Sequence, residues 1–167
     1  TGCYNRFQLE PSFERFAGLA EKNGFPFSSA IFAIAHFKEV SDTHGPLGGD
    51  QALRGIAEII QARIDRRHIF IRYGGDEFIL LSLHHDLAQM ALFCETLRAA
   101  IEARMGGITM SFGVSTWHGA GDTMHSLMER ADRALYCSKE KGRNSVSTEG
   151  EAACCDICAN ANAEHHR

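Results

Sequence analysis

Two carboxylates stand side by side where the chain turns between two apolar runs. Asp76 and Glu77 directly follow Gly74 and Gly75, and residues 69–83 alternate as a β-hairpin does. A tight turn is expected to need the glycines, but not the acids, because strands disfavour acidic residues and adjacent like charges repel. Carboxylates bind cations such as Mg²⁺, and glycines let a ligand approach the backbone. A ligand site and a plain solvated turn both remain open.

Basic residues near the end of a later helical segment are a second candidate. Lys139 and Arg143 could bind phosphate groups. They could equally be solvated cations that meet the negative end of a helix dipole. The residues alone do not decide between these two interpretations.

A cysteine pair near the end of the chain raises the question of a zinc site. Cys155 and Cys158 have CxxC spacing, with His165 and His166 downstream. The interval from Cys158 to His165 is shorter than in a zinc finger, so a tail without metal is favoured. The remaining cysteines are scattered along the chain and are expected to be reduced.

The composition indicates a single globular domain. With 167 residues and 44% apolar side chains, the chain can build one sizeable core. Its net charge is -4 and it has no Lys/Arg-rich block, which argues against binding to a nucleic-acid backbone. The longest apolar stretch, near residues 30–35, is far below the ~18 residues of a membrane span, and no signal segment opens the chain. We expect a cytoplasmic domain without membrane contact, or the cytosolic part of a longer, membrane-anchored protein.

The order of the predicted elements indicates an α+β fold. Helices are predicted at 6–23, from residue 50 onward, at 87–104 and at 124–138. Strands are predicted at 28–37, in the hairpin 69–83, at 108–117 and at 145–147. The first strand reads as buried on both faces, and the polar, glycine-rich stretch 38–49 is expected to be a loop. The order is that of a ferredoxin-like split βαββαβ fold with an added N-terminal helix.

Five motifs resemble those of the GGDEF family, the diguanylate cyclases that condense two GTP into cyclic di-GMP. RYGGDEF (72–78) resembles the family signature, and TGCYNR (1–6) resembles its opening TGLxNR. HFKEVSDTHGPLGGD (36–50) resembles HFKxINDxxGHxxGD. SFGV (111–114) and RADRALYCSKEKGRN (130–144) resemble SxGV and ADxALYxAKxxGRN. Five motifs in register, from Thr1 to about Val146, are far more specific than one.

The resemblance implies a site for GTP with Mg²⁺ or Mn²⁺. It implies that Gly74 and Gly75 lie against the nucleotide, that Asp76 and the backbone of Ile34 bind metal, and that Glu77 assists at the metal or acts as a base. Attack of a ribose 3′-hydroxyl on an α-phosphate needs such metal-bound carboxylates, with cations on the outer phosphates. The other family positions fall on residues expected to hold the triphosphate (Lys38, Lys139, Arg143) and the guanine (Ser41, Asp50). Asp50 could instead cap the helix that follows it.

The chain departs from the family pattern at its first strand. Where the family has DxD before HFK, this chain has AIA, so that Ala33 occupies a metal-ligand position and Ala35 the second aspartate. Ser41 replaces a guanine-binding asparagine, and Pro46 replaces a histidine. Residues 65–68 read DRRH and lack both the arginine and the aspartate of the family's RxxD product-inhibition motif, so feedback through that site is not expected.

These departures predict a GGDEF domain over residues 1–148 with a damaged metal site, followed by a flexible tail over 149–167. The expected function is a weak or inactive regulatory, GTP-binding module in cyclic di-GMP signalling. The alternative is an active diguanylate cyclase with a substitute metal ligand such as Asp42. Each active domain presents one GTP, so we expect a homodimer or pairing with another GGDEF domain. Because the chain begins at Thr1 rather than Met, an upstream sensor domain is also expected.

Overall fold

The computed structural model of the chain describes residues 3–154. Its strands are Tyr4–Asn5 (β1), Phe27–Ile34 (β2), His68–Arg72 (β3), Glu77–Leu83 (β4), Met110–Thr116 (β5) and Val146–Thr148 (β6). Its α-helices are Leu9–Asn23 (α1), Phe37–Gln61 (α2), Leu87–Arg104 (α3), Met124–Glu140 (α4) and Glu149–Cys154 (α5), and a short 3₁₀ turn, Arg6–Gln8, precedes the first helix. The possible zinc ligands Cys155, Cys158, His165 and His166 lie outside the described residues, as does most of the predicted tail.

The strands form one sheet in the order β1-β3-β4-β2-β5-β6. The central strand, β2, is antiparallel to both neighbours, and all eight of its residues are buried. This confirms the strand predicted to be covered on both faces. Strands β2 to β5, with α2 and α3 as crossovers, have the predicted ferredoxin-like order, and β1 and β6 add a short parallel strand at each edge.

Helices cover the sheet on both faces, so the core has two apolar layers. One layer packs α2 and α3 against the sheet and includes the stacked rings of Phe32 and Phe112, whose centroids are 4.7 Å apart. The other layer packs α1 and α4 against the opposite face and includes Phe13, Phe16 and Leu135. No helix among residues 3–154 combines the length and the apolar character that crossing a bilayer requires.

Helix α4 lies directly on β5 at Gly113. A Cβ atom at this position would be 2.1 Å from the backbone oxygen of Ala131 and 2.1 Å from the backbone nitrogen of Leu135. Such distances are far inside van der Waals contact, so only glycine lets the helix approach the strand this closely. The glycine of the SFGV motif therefore has a packing role.

The prediction of a loop at 38–49 is wrong, because most of this stretch is helical. Helix α2 begins at Phe37 and is interrupted only at Gly45, whose φ of 73° and ψ of 178° kink it. Phe37 packs against the apolar layer beneath α2, and this anchoring outweighs the weak helix propensity of the polar residues that follow. Consequently Asp50 lies inside the helix and does not act as its N-terminal cap.

A short helix that the sequence did not predict follows the last strand. Ala152 of α5 is buried against Ala134 and Cys137 of α4. Six residues carry too little apolar periodicity to be recognised from sequence, and this helix is held by packing on its neighbour. The domain boundary predicted at residue 148 stays a prediction, although the packed chain continues beyond it.

Candidate functional site

The tip of the β3–β4 hairpin is held by contacts within the tip itself. The backbone N–H groups of Tyr73 and Gly74 donate to the carbonyl oxygen of Glu77, at 2.9 and 3.1 Å. The Arg72 guanidinium donates to the carbonyl oxygens of Gly74 and Gly75, at 3.2 and 2.9 Å. Sequence reasoning missed Arg72, although an arginine just before a Gly-Gly pair can reach those carbonyls. The tip is therefore a fixed platform for the two carboxylates.

The hairpin does not need its two glycines, contrary to the sequence-based expectation. Neither Gly74 nor Gly75 has a positive φ. A Cβ at Gly75 would meet nothing within 4 Å, and one at Gly74 would only touch the Cβ of Glu77 at 3.7 Å. The fold would thus accept alanine at both positions. Small residues that the fold does not require are typical of a surface that a ligand approaches closely.

Glu77 is half-buried in an environment that disfavours its charge. It starts β4 and pairs directly with Ala33 of β2. Burial raises the pKa of the Glu77 carboxyl, the negative charges of Asp132 and Asp76 raise it further, and Lys139 opposes them. Two residues of α4 therefore act on this carboxylate, one of each sign.

Asp132 is the second residue that sequence reasoning missed. It and Lys139 are seven residues apart on α4, about two helical turns, so they lie on the same side of that helix. This spacing was available in the sequence, since Lys139 was already a candidate. Recognising Asp132 also required knowing that α4 covers the face of the sheet that carries Glu77.

Ala33 presents a methyl group where the sequence comparison expects a metal-binding carboxylate. It is 5% exposed and belongs to the apolar layer beneath α1 and α4. Its neighbour Ile34 belongs to the opposite layer, and the Ile34 N–H donates to the carbonyl oxygen of Asp76 at 3.3 Å. The end of β2 therefore lies beside the hairpin tip through its backbone and contributes no side-chain oxygen there.

An open cavity of about 320 Å³ lies beside Glu77 on the same face. Its polar lining includes Tyr73, Asp132 and Glu129, and its apolar floor is formed by Ile31, Ile79 and Met128. The cavity lining contains no lysine or arginine, and its one basic residue is His125. Of the lining carboxylates, Glu129 is paired with Arg133 at 2.8 Å.

The donors at the tip do not fit a two-metal site made by protein alone. Among residues 3–154, no group of three or more His, Cys, Asp or Glu side chains is arranged to hold a metal ion. Asp76 and Glu77 are adjacent, but the strand opposite them supplies only the Ala33 methyl group. Mg²⁺ commonly takes one or two carboxylates together with substrate phosphates, and that smaller set is what these residues offer.

The kink in α2 makes a second corner of the candidate site. A Cβ at Gly49 would be 3.0 Å from the Ser41 hydroxyl oxygen, so the two segments of the helix nearly touch there. Lys38 and Asp50 are exposed, and neither forms an ion pair with another residue of the described part of the chain. Lys38, predicted to contact the triphosphate, and Ser41 and Asp50, predicted to contact the guanine, thus lie along one bent helix. Their roles remain predictions.

The chain reverses sharply after α4, where the other predicted phosphate-binding residues lie. Lys139 is in the last turn of the helix and is exposed. Arg143 is exposed with a φ of 66°, and its N–H donates to the Ser138 carbonyl oxygen at 3.0 Å. The next residue, Asn144, accepts from Arg98 of α3 at 2.8 Å. Only Lys139 of the two cations has a resolved electrostatic effect on Glu77.

The segment that replaces the product-inhibition motif is occupied by contacts with itself. Asp65 accepts from the Arg67 side chain through both oxygens, the shortest contact being 2.8 Å. His68 is buried, with 3% of its side chain exposed. Residues 65–68 therefore form a closed turn, and Arg67 is already engaged by a neighbouring carboxylate.

Comparison with known proteins identifies relatives over nearly the whole chain. The family model described as "Diguanylate cyclase, GGDEF domain" matches residues 1–145. Response regulator PleD of Caulobacter vibrioides is 32% identical over 155 residues, which cover 87% of this chain and 34% of PleD. Diguanylate cyclase VdcA of Vibrio cholerae is 34% identical over 163 residues, which cover 84% of this chain and 48% of VdcA. The chain thus spans about a third to a half of these relatives.

Solved structures show the same architecture. The GGDEF domain of DgcB from Caulobacter crescentus, crystallised in complex with c-di-GMP, has a TM-score of 0.84 and 33% identity, covering 89% of this chain and 90% of that one. The active GGEEF domain of a diguanylate cyclase from Vibrio cholerae has a TM-score of 0.81 and 27% identity, covering 87% and 97%. The match extends over the sheet and the helices on both of its faces.

Proposed function

Because the chain belongs to the GGDEF domain family of diguanylate cyclases, we propose that it is a regulatory, GTP-binding module whose own cyclase activity is impaired. The family places it in cyclic di-GMP signalling.

One observation carries the proposal, and it is the pairing of Ala33 with Glu77. The reaction needs divalent cations positioned on carboxylates from both strands, and here one strand supplies only a methyl group. Losing one preorganised electrostatic element of an active site commonly lowers the rate by about 10²–10³-fold. The rate of cyclic di-GMP formation is therefore expected to be lowered far more than the affinity for nucleotide.

Several features support retained binding of GTP. Gly74 and Gly75 are small although the hairpin does not require it. Lys38, Lys139 and Arg143 are exposed cations at positions where a triphosphate is expected. A single Mg²⁺ arriving with the nucleotide would need only Asp76 or Glu77 in addition to phosphate oxygens.

Binding is expected to be weak, because the guanine contacts are reduced. A serine hydroxyl at position 41 is shorter than an asparagine amide and offers a single donor. An unsatisfied polar group on the base costs about 1–3 kcal/mol. Asp50 remains exposed and could still accept from the N–H groups of the base. A GTP affinity lower than that of an intact site follows.

Assembly follows from the chemistry of the family. Joining two GTP molecules requires two domains that face each other, each with one nucleotide. An impaired copy can still pair with itself or with an active relative and so regulate it. Because GTP is the expected ligand, the module is proposed to act in the cytoplasm, with its input from a sensor domain of a longer protein.

The second candidate is an active cyclase with a substitute ligand. Asp132 favours it, since this carboxylate acts electrostatically on Glu77 from α4. However, Asp132 also belongs to the ADxALY motif that resembles the family's, where it coexists with the strand aspartate. Asp42 is exposed on α2, and no contact joins it to the hairpin tip in the described part of the chain. The impaired module is therefore preferred.

Calorimetric titration with GTP and Mg²⁺, combined with chromatographic analysis of the same sample, tests the proposal. We expect a saturable binding signal with little cyclic di-GMP formed. Weaker binding by Lys139→Gln, with an unchanged signal from Lys22→Gln on α1, would place the nucleotide at the predicted site. Absence of any binding would leave only a scaffold role, and rapid product formation would establish the second candidate.

A further inference from the structure

A groove of about 470 Å³ runs between α1 and the loop that leads into α4. Its apolar lining includes Phe13 and Ala17 of the helix and Trp117 and Met124 of the loop side. At Gly18, which also lines it, an added Cβ would meet nothing within 4 Å, so the wall is open there. The groove therefore offers a partly exposed apolar floor, in which Ala17, Trp117 and Met124 are of intermediate exposure and Phe13 is buried.

One wall of this groove carries negative charge that has no partner. Glu10, Glu14 and Glu21 of α1 line it and are exposed. Their spacings of four and seven residues place them on the same side of the helix. None of the three forms an ion pair or a side-chain hydrogen bond with another residue of the range 3–154.

The groove lining contains no lysine or arginine. Arg15 does not line the groove, and its guanidinium lies 5.5 Å from the ring centroid of Phe16. On the opposite wall, Asp122 is already paired with Arg130 at 2.6 Å, and Arg130 also contacts Glu149 at 2.8 Å. The groove thus combines an apolar floor with an uncompensated acidic rim.

We propose that this groove docks a basic amphipathic helix of a partner protein. From Glu10 to Glu21 the rim extends along 11 residues of α1, roughly 16 Å, which matches about three turns of a helix lying beside it. Apolar side chains at i, i+3, i+4 and i+7 of such a helix would pack on the floor, and its Lys or Arg residues would pair with the glutamates. An occupant of this charge is selected by complementarity.

The charge of the groove disfavours the other occupants. An acidic segment would place like charges opposite the glutamates. A second copy that docked through the same groove would place its own glutamates opposite these. The surface is also separate from the proposed nucleotide site, because Asp76, Glu77 and Lys38 do not line it. His125 lines both this groove and the cavity beside Glu77, so a docked helix would border that cavity.

The chain contains its own reporter for this proposal. Trp117 is the single tryptophan of the sequence and lines the groove. The probe is a synthetic 18-residue Lys/Leu peptide with one apolar helical face. Two controls are a Lys/Leu peptide of the same composition in scrambled order and a Glu/Leu peptide with the same apolar face. We expect a saturable change in tryptophan fluorescence with the amphipathic basic peptide, weakened by 0.5 M NaCl, and none with either control.

Reversing the charge of glutamates on the groove wall tests whether the peptide binds in the groove. The double variant Glu14→Lys/Glu21→Lys is expected to lower the peptide affinity about tenfold, because two attractive contacts become repulsive. Its matched control is Glu58→Lys/Glu140→Lys, which changes the net charge equally at exposed positions of α2 and α4. Circular dichroism verifies that both variants are folded.

Three results would overturn the proposal. They are equal affinity in the two double variants, binding of the Glu/Leu peptide as tight as that of the basic one, and a wild-type dimer in sedimentation that the groove variant alone abolishes. The last result would assign the groove to a second copy. No nucleotide is present in these experiments, so their outcome is independent of the proposed GTP site.

Discussion

Ala33 and Glu77 are direct partners across β2 and β4, so a methyl group and a carboxylate lie side by side on the face of the sheet that α4 covers. The charges of Asp132 and Asp76 act on Glu77 together with its burial, and Lys139 opposes them.

The first prediction concerns the protonation of Glu77. Asp132→Asn removes the largest charge contribution to its raised pKa, so the pKa of Glu77 should fall. Lys139→Gln removes an opposing cation, and the pKa should rise. Both shifts can be measured by following the side-chain carboxyl ¹³C resonance of Glu77 during a pH titration. Glu129→Gln, in the same cavity but not a resolved cause of the shift, is the control.

Movement of the Glu77 pKa in the same direction in both variants would contradict this assignment. So would an unchanged pKa in Asp132→Asn. Either result would mean that Asp132 and Lys139 do not act on the Glu77 carboxylate through their opposite charges.

The second prediction is a pH dependence of stability that comes from His68. Its ring lies 4.9 Å from that of Phe93 and 5.5 Å from that of His85. Burial lowers the pKa of His68 below its ordinary value of 6.5, while Asp65 partly opposes this effect. The unfolded chain therefore takes up a proton near pH 6.5 that the folded protein does not. The stabilisation that neutral His68 contributes to folding is fully present above pH 6.5 and is lost as the pH falls below it.

Urea denaturation between pH 7 and pH 5 measures this effect. The unfolding midpoint of the wild type should fall on acidification, and the fall should be smaller in His68→Phe, which keeps a ring against Phe93. His125→Gln should behave as the wild type, because that side chain is 90% exposed. An equal slope in wild type and His68→Phe would contradict the prediction.

The third prediction follows from the contact of α4 with β5. Gly113→Ala would place a Cβ 2.1 Å from backbone atoms of Ala131 and Leu135. Backbone cannot yield as a flexible side chain does, so we expect a loss of about 3 kcal/mol in the free energy of unfolding. Chemical denaturation measures it, and a loss below about 1 kcal/mol would show that the helix can move away at little cost.

The fourth prediction uses a glycine that the fold does not need. Gly75→Ala should change the free energy of unfolding by less than about 0.5 kcal/mol, because its Cβ enters open space. The same methyl group should weaken GTP binding about tenfold, equivalent to roughly 1.4 kcal/mol, if nucleotide lies against the tip. Gly18→Ala, also in open space but on α1, should leave GTP binding unchanged. Equal GTP affinity in both variants would remove the hairpin from the proposed site.

The elements with complete local signals could be predicted from the sequence. Helix α3 was predicted at its observed bounds, Leu87–Arg104, and its start is marked by a capping box of Asp86 and Gln89. Gly24 ends α1 with a φ of 71°, as a glycine after a helix is expected to do. The hairpin and the doubly buried β2 followed from alternation and from a continuous apolar run.

The remaining features depend on tertiary contacts. The first part of α2 has glycines and short polar residues with weak helix propensity, and Phe37 at its start packs against the core. The effect of Asp132 on Glu77 requires that α4 packs on the face of the sheet that carries Glu77, which no local pattern indicates. Among the candidate site residues, the adjacent pair Asp76 and Glu77 was visible from sequence, whereas the cavity beside them was not.

Formation of cyclic di-GMP by an Ala33→Asp variant tests the central claim most directly. Wild type, Ala33→Asp and the uncharged, similarly sized Ala33→Asn are incubated with GTP and Mg²⁺ or Mn²⁺, each also in a Ser41→Asn background, and product is quantified by chromatography. We predict slow turnover by the wild type and by Ala33→Asn, and a rate at least about 10²-fold higher for Ala33→Asp in the Ser41→Asn background. Rapid turnover by the wild type, or equal rates for the aspartate and asparagine variants in both backgrounds, would contradict the account.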